Sequence, residues 1–289
     1  MKKYILAFSL TFLFFPFLAQ ADKIKVIAAE NFYGDIAYQI GGNSISVSSI
    51  LYNPYQDPHL FETNTSTAIS LSKAQVVIYN GMNYDPWMAK LLSTTDNSQK
   101  IIIVVGTLVN RHTGENPHIW YDPATISALA RKLSAEFSVI NPDKTKRYQH
   151  NLKNFLASMA VITDEVSVIR KNYLNTSVTA TEPVAGYLCE ALGFKMHNLS
   201  FQLSIMNNTE PSFSDVAAFQ DSLQNHEVKI LFYNKQASNP IAQNMQQIAR
   251  KYNIPVVGVT ETEPAGETYQ SWIMKVLETI KNILSGKIK

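Results

Sequence analysis

Residues 142–173 form one unbroken helical pattern, and no other feature of the chain restricts its architecture as strongly. After Pro142 the segment contains neither Pro nor Gly, so nothing within it stops a helix. Leu152, Phe155, Leu156, Met159, Ile162, Val166 and Ile169 recur at steps of three and four residues, as one face of a single helix would. At ~1.5 Å per residue the helix is about 45 Å long, enough to run the length of a two-lobed molecule. The pattern predicts a stiff connector, with an N-terminal lobe at 22–141 and a C-terminal lobe at 174–289.

Both flanks of the connector alternate strand and helix signals. Before it, strand patterns at 25–29, 45–51, 76–79 and 101–105 are separated by helical ones at 35–40, 65–73 and 86–92, and a helix covers 123–137. After it come strands at 177–181, 229–233 and 256–260, with helices at 184–192, 213–223, 241–251 and 269–284. Strand and helix in turn imply parallel sheets covered on both faces. The fold class expected is α/β: two lobes, each a small parallel sheet flanked by helices, joined by one long rigid helix. Ligands of open parallel sheets bind outside the carboxyl ends of the strands, which places a site in the cleft between the lobes.

The first residues have the pattern of an export signal. Lys2 and Lys3 precede an apolar run, 4–18, and an Ala19-Gln20-Ala21 end, so cleavage is expected after Ala21, with the signal peptide at 1–21 and a periplasmic location. The run is shorter than the ~20 residues of a membrane-spanning helix, and no Cys follows it for lipid attachment. Loss of the two lysines brings the 25 Lys and Arg level with the 23 Asp and Glu. A neutral chain without clustered cations offers no footprint for nucleic acid. With Cys189 as the one cysteine, neither an internal disulfide nor a cysteine-built zinc site is available. Its apolar neighbours, 187–192, mark Cys189 as a small core residue.

Two of the six histidines have unusual settings. His59 lies in Asn53-Pro54-Tyr55-Gln56-Asp57-Pro58-His59, just past a strand, and His118 in Asn116-Pro117-His118-Ile119-Trp120, just before a helix. A proline before each His restricts the local backbone. His150, His226, His197 and His112 read as surface residues, with His112 close enough to His118 to serve as a reserve ligand. The second lobe supplies carboxylates where its strands stop: Glu182 before Pro183, and Glu261 and Glu263 in Thr260-Glu261-Thr262-Glu263-Pro264. In extended chain Glu261 and Glu263 point the same way, so the pattern leaves the choice between them open. Each acid is equally compatible with a helix N-terminal charge.

These stretches resemble the metal-binding solute receptors of bacterial ABC importers, the zinc and manganese receptor family. The resemblance is carried by Asn31-Phe32-Tyr33-Gly34-Asp35-Ile36, Asp57-Pro58-His59-Leu60-Phe61-Glu62, 76–82 with Trp87, Asn116-Pro117-His118-Ile119-Trp120, the long helix and Gly186-Tyr187-Leu188. It implies a metal set of His59, His118, Glu182 and Glu261. It implies as cargo one divalent transition-metal ion, and as partner an inner-membrane permease with its ATPase, the receptor acting as a monomer. Zinc-type members carry His where Glu182 stands, and often a long His-rich loop where 106–115 is short. Both departures lean toward manganese, with zinc or iron as alternatives. The usual Asp at the fourth position is one methylene longer here, as Glu261.

Two imidazoles and two carboxylates make a mixed N/O site that suits manganese, iron or zinc. Imidazole must be neutral to ligate, so affinity should fall in acid. The competing readings are a secreted metal-dependent hydrolase using the same residues and a receptor for a small organic solute. The chain has neither a His-Glu-x-x-His helix nor a Gly-x-Ser-x-Gly elbow, and the expectation is a binding protein rather than an enzyme. A single stiff connector also predicts small rearrangements of the loops bearing Glu182 and Glu261 rather than wide lobe closure.

Overall fold

The computed structural model describes residues 23–53, 58 and 61–287; the expected signal peptide, 1–21, lies outside them. Strand β1 (Ile24–Glu30) passes without a loop into helix α1 (Asn31–Gly41), followed by β2 (Ile45–Leu51). The helix thus starts four residues before the apolar pattern predicts, because Gly34 looks like a turn in sequence. Its role is close packing: a Cβ at Gly34 would stand 2.2 Å from Ser49 Oγ on β2.

Helix α2 (Thr65–Ser72), β3 (Val76–Tyr79), α3 (Pro86–Ser93), β4 (Ile101–Val104), the short α4 (Val105–Leu108) and α5 (Pro123–Ile140) complete the first half. Asn64 caps α2 by accepting from Thr67 N, and Asp122 caps α5 by accepting from Ala124 N. The four strands run parallel in the order β2-β1-β3-β4. Six of the seven residues of β1 are buried, as expected of a strand covered on both faces.

Helix α6 (Thr145–Tyr173) is the connector. Pro142–Lys144 form a 3-10 turn ahead of it rather than its first α-helical turn, a common arrangement at helix starts. Tyr148, Phe155, Met159, Ile162, Val166 and Ile169 are its buried stripe, which packs on α1 and α5 and, further along, on α11. Arg170 and Lys171 in its last turn complement the helix dipole. Arg170 Nη1 also donates to the carbonyls of Glu190 and Ala191, 3.2 and 3.0 Å away.

The second half contains β5 (Ser177–Ala180), α7 (Gly186–Ala191), β6 (Lys195–His197), α8 (Leu199–Met206), α9 (Phe213–Gln224), β7 (Leu231–Asn234), α10 (Pro240–Lys251), β8 (Val256–Val259) and α11 (Tyr269–Leu284). The sheet is again parallel, in the order β6-β5-β7-β8. Strand β6 and helix α8 are additions to the sequence expectation. Helix α8 follows Asn198 in the left-handed region, φ 57°, and leaves Leu199 and Leu203 exposed, so it lacks a clean apolar stripe.

The two sheets share one topology, in which the chain pairs first on one side of β1 or β5 and then crosses to the other. Such switch points, β1/β3 and β5/β7, leave room at the strand ends. A continuous apolar core joins the lobes: Phe32 and Tyr121 of the first meet Trp272 of the second with ring centres 6.0 and 5.4 Å apart. A satellite core around Phe201, Phe219, Leu231 and Met245 supports the outer helices of the second sheet.

Candidate metal centre

His118 stands between Pro117 and the 3-10 turn Ile119–Tyr121 and is fully buried. Asn116 fixes its orientation: Asn116 Oδ1 accepts from His118 N at 3.2 Å and lies 2.6 Å from Nδ1. The amide cannot be turned over, because its Nδ2 donates to the carbonyl of Pro183 in the other lobe at 2.8 Å. The Nδ1 nitrogen therefore carries a proton, and Nε2 is the nitrogen whose lone pair the neutral imidazole can offer. That nitrogen faces Glu261, whose Oε2 is 3.7 Å away.

Glu261 is fully buried two residues beyond β8. Gln236 Oε1 accepts from the backbone N–H of Glu261 and Thr262, at 2.6 and 3.2 Å, and clamps the turn that carries it. Tyr84 O–H, from the first lobe, donates to Glu261 Oε2 at 2.9 Å. Glu182, two residues beyond β5, is 4% exposed. It is tied to Glu261 by one amide: Asn234 Nδ2, at the end of β7, donates to Glu182 Oε2 at 3.0 Å and to Glu261 Oε1 at 2.6 Å. The ends of β5, β7 and β8 thus converge on His118.

His59 lies outside the described residues. Among those described, no group of three His, Cys, Asp or Glu already stands close enough to hold an ion. His118 and Glu261 face one another, and Glu182 joins them across Asn234. Two carboxylates withdrawn from water and sharing one amide are costly unless a cation offsets their charge. Imidazole nitrogen and carboxylate oxygen are the donors that a borderline divalent ion takes.

Glu263 goes elsewhere. Its backbone N–H donates to Asn31 Oδ1 at 3.0 Å and its carbonyl accepts from Asn31 Nδ2 at 2.7 Å, which turns it toward α1. Burial, then the charges of Asp35 and Glu267, push its carboxyl up to about 9. It is protonated at neutral pH and faces away from His118. His112 is exposed, and its backbone N–H donates to Glu115 at 2.9 Å; it is not brought to the buried set. His150 and His226 are exposed and His197 half-buried.

Sequence reasoning missed Tyr84, Asn234 and Gln236, which organise the carboxylates. Asn234 ends β7, while Glu182 and Glu261 lie two residues beyond β5 and β8, and this shared nearness to strand ends was the available signal. An uncharged Asn after a strand reads as a turn former, so the signal was weak. Below the site lies a second acidic pair, Glu30 and Asp85, both buried; Asp85 accepts from Asn80 N at 2.6 Å and Gly81 N at 2.8 Å.

The model of the family described as "ZnuA: Zinc-uptake complex component A periplasmic" matches residues 26–283. The manganese ABC transporter substrate-binding lipoprotein PsaA of Streptococcus pneumoniae is 23% identical over 285 residues, 90% of this chain and 88% of that protein. The zinc-binding lipoprotein AdcA of the same species is 22% identical over 285 residues, and this chain spans only 56% of its length. Among solved structures, the periplasmic zinc binding protein TroA from Treponema pallidum superposes with a TM-score of 0.76 at 16% identity, covering 91% of this chain and 99% of TroA. That likeness is one of fold.

Proposed function

Because this chain belongs to the ZnuA family of periplasmic zinc-uptake components, we propose that it is the solute-binding protein of a metal ABC importer. In this reading His118, Glu182 and Glu261, together with His59, take up one divalent transition-metal ion, zinc or manganese, and hand it to a permease with its ATPase. The observation that carries the reading is the convergence of His118 Nε2 on Glu261 Oε2 at 3.7 Å, fully buried, with Glu182 one amide away. Export to the periplasm by cleavage after Ala21 and the division into lobes at 22–141 and 174–289, joined by 142–173, belong to the same proposal.

The described residues act in three ways. Asn116 holds the imidazole in the tautomer whose Nε2 can ligate. Gln236 fixes the backbone under Glu261. Asn234 holds Glu182 Oε2 and Glu261 Oε1, and Tyr84 O–H occupies Glu261 Oε2, the oxygen facing His118, until the cargo arrives. A fully protein-ligated ion suits capture and release, whereas a catalytic metal keeps a position for water. The names of PsaA and AdcA, one a manganese and one a zinc protein, support the same pair of cargo ions.

Titration calorimetry of the exported chain with manganese and with zinc tests the reading. Saturable binding of one ion per chain is expected, lost on His118→Ala and on His59→Ala at neutral pH. Unchanged affinity in both variants overturns it.

A further inference from the structure

We infer that Asn234 is the residue that sets metal choice at this site, by holding each of the two carboxylates to one oxygen. This rests on the metal-receptor reading and deepens it. A carboxylate can give an ion one oxygen or two, and the count decides which ions are satisfied. Zinc is content with four donors, two imidazole nitrogens and two oxygens among them. Manganese, a harder ion, is better served by a larger, oxygen-rich shell. A device that keeps both glutamates to one oxygen each therefore works for zinc and against manganese.

Asn234 is such a device. Its two amide protons go to two different carboxylates, Glu182 Oε2 at 3.0 Å and Glu261 Oε1 at 2.6 Å. Its orientation is fixed from behind, since its Oδ1 accepts from Gln236 N at 3.0 Å. The reverse orientation would aim that oxygen at two carboxylates. Its own backbone is held in the sheet, in register with Val259 of β8, and the residue is 3% exposed. Gln236 Nε2 further donates to Thr262 Oγ1 at 2.9 Å, so the amide pair Asn234 and Gln236 forms one rigid brace under the acids. Bonds of this kind from an outer residue to a ligand tune the ligand as well as aim it.

Glu182 and Asn234 thus pull in opposite directions. A glutamate in place of the histidine adds an oxygen donor, as a manganese site would require, while the amide behind it withholds the second oxygen. The outcome is a site of zinc-like donor number built from harder ligands.

The test compares affinities for zinc and manganese in the wild type and in Asn234→Ala, by competition with a chelator at one pH. If Asn234 only supports the fold, its loss weakens both metals alike. If it restricts the carboxylates, manganese should gain on zinc by roughly tenfold, a typical size for an outer-residue effect. A ratio unchanged within about twofold, below 0.5 kcal/mol, overturns the inference. Should Asn234→Ala fail to fold, X-ray absorption of zinc-loaded wild type decides: a shell of about four N/O donors is expected, and one of five or six overturns it. A wild type that takes up neither metal overturns the receptor reading and this inference with it. An unchanged ratio in a wild type that binds overturns this inference alone.

Discussion

Glu30 ends β1 fully buried, and neither of its oxygens accepts a hydrogen bond. Burial first, and then the charge of Asp85 beside it, push its carboxyl well above the ordinary carboxylate range. Burial also raises Asp85, to about 6, although the N–H groups of Gly81 and Asn80 draw it back. Burial and the neighbouring Asp85 thus favour the protonated form of Glu30. The folded chain binds this proton more tightly than the unfolded one. Its stabilising effect is complete below the unfolded value of about 4.3 and is lost as pH rises toward the folded value, at about 1.4 kcal/mol per pH unit. Thermal melts of the wild type should fall from pH 5 to pH 8, and Glu30→Gln, which keeps a donor without a charge, should flatten that slope; equal slopes would refute the assignment. At Gly34 the argument is steric. The Cβ of an alanine would press on Ser49 Oγ, and Gly34→Ala should lose roughly 1–3 kcal/mol in urea unfolding.

The elements carry the next set of consequences. Helix α6 binds one face to both lobes and leaves the other in solvent, so neighbouring positions should differ sharply. Ile162 is fully buried and Val161 is 58% exposed. Ile162→Ala is expected to cost roughly 2–5 kcal/mol and Val161→Ala about 0.5 kcal/mol or less, both read from denaturant midpoints. Similar losses at the two positions would mean that α6 does not present this stripe to the core. The strand ends obey a comparable division of labour. Thr181, Asn234 and Thr260 sit where β5, β7 and β8 stop, and Asn234 N donates to Thr181 Oγ1 at 3.4 Å. Of these side chains, Asn234 ties the two acids together.

In the whole molecule, hydrogen bonds cross between the lobes all round the site. Tyr121 O–H donates to Thr260 O at 2.8 Å, Tyr269 O–H to Trp120 O at 2.8 Å, and Tyr187 O–H to Asn116 O at 2.9 Å. Asn116 and Asn31 add further crossings. Together with the shared aromatic core and α6, these contacts resist a hinge, because opening would break several buried polar contacts at once. X-ray scattering of metal-free and metal-loaded chain should show nearly the same radius of gyration, with changes confined to the turns bearing Glu182 and Glu261. A large compaction on loading would count against this.

The sequence by itself determined the α/β class, the two parallel sheets and the connector, because strand and helix periodicities and an unbroken apolar stripe are local properties. Prolines and strand ends also marked His59, His118, Glu182 and the pair Glu261 and Glu263 as candidates, since they show where a chain presents side chains. Only the tertiary structure separated Glu261 from Glu263. Two residues apart on one extended segment, they are alike until Asn31 on α1 turns Glu263 away and His118 faces Glu261. Only the tertiary structure, too, brought Tyr84, Asn234 and Gln236 to the acids. They are uncharged residues distant in sequence from their partners, and nothing local distinguishes a braced amide from an ordinary turn.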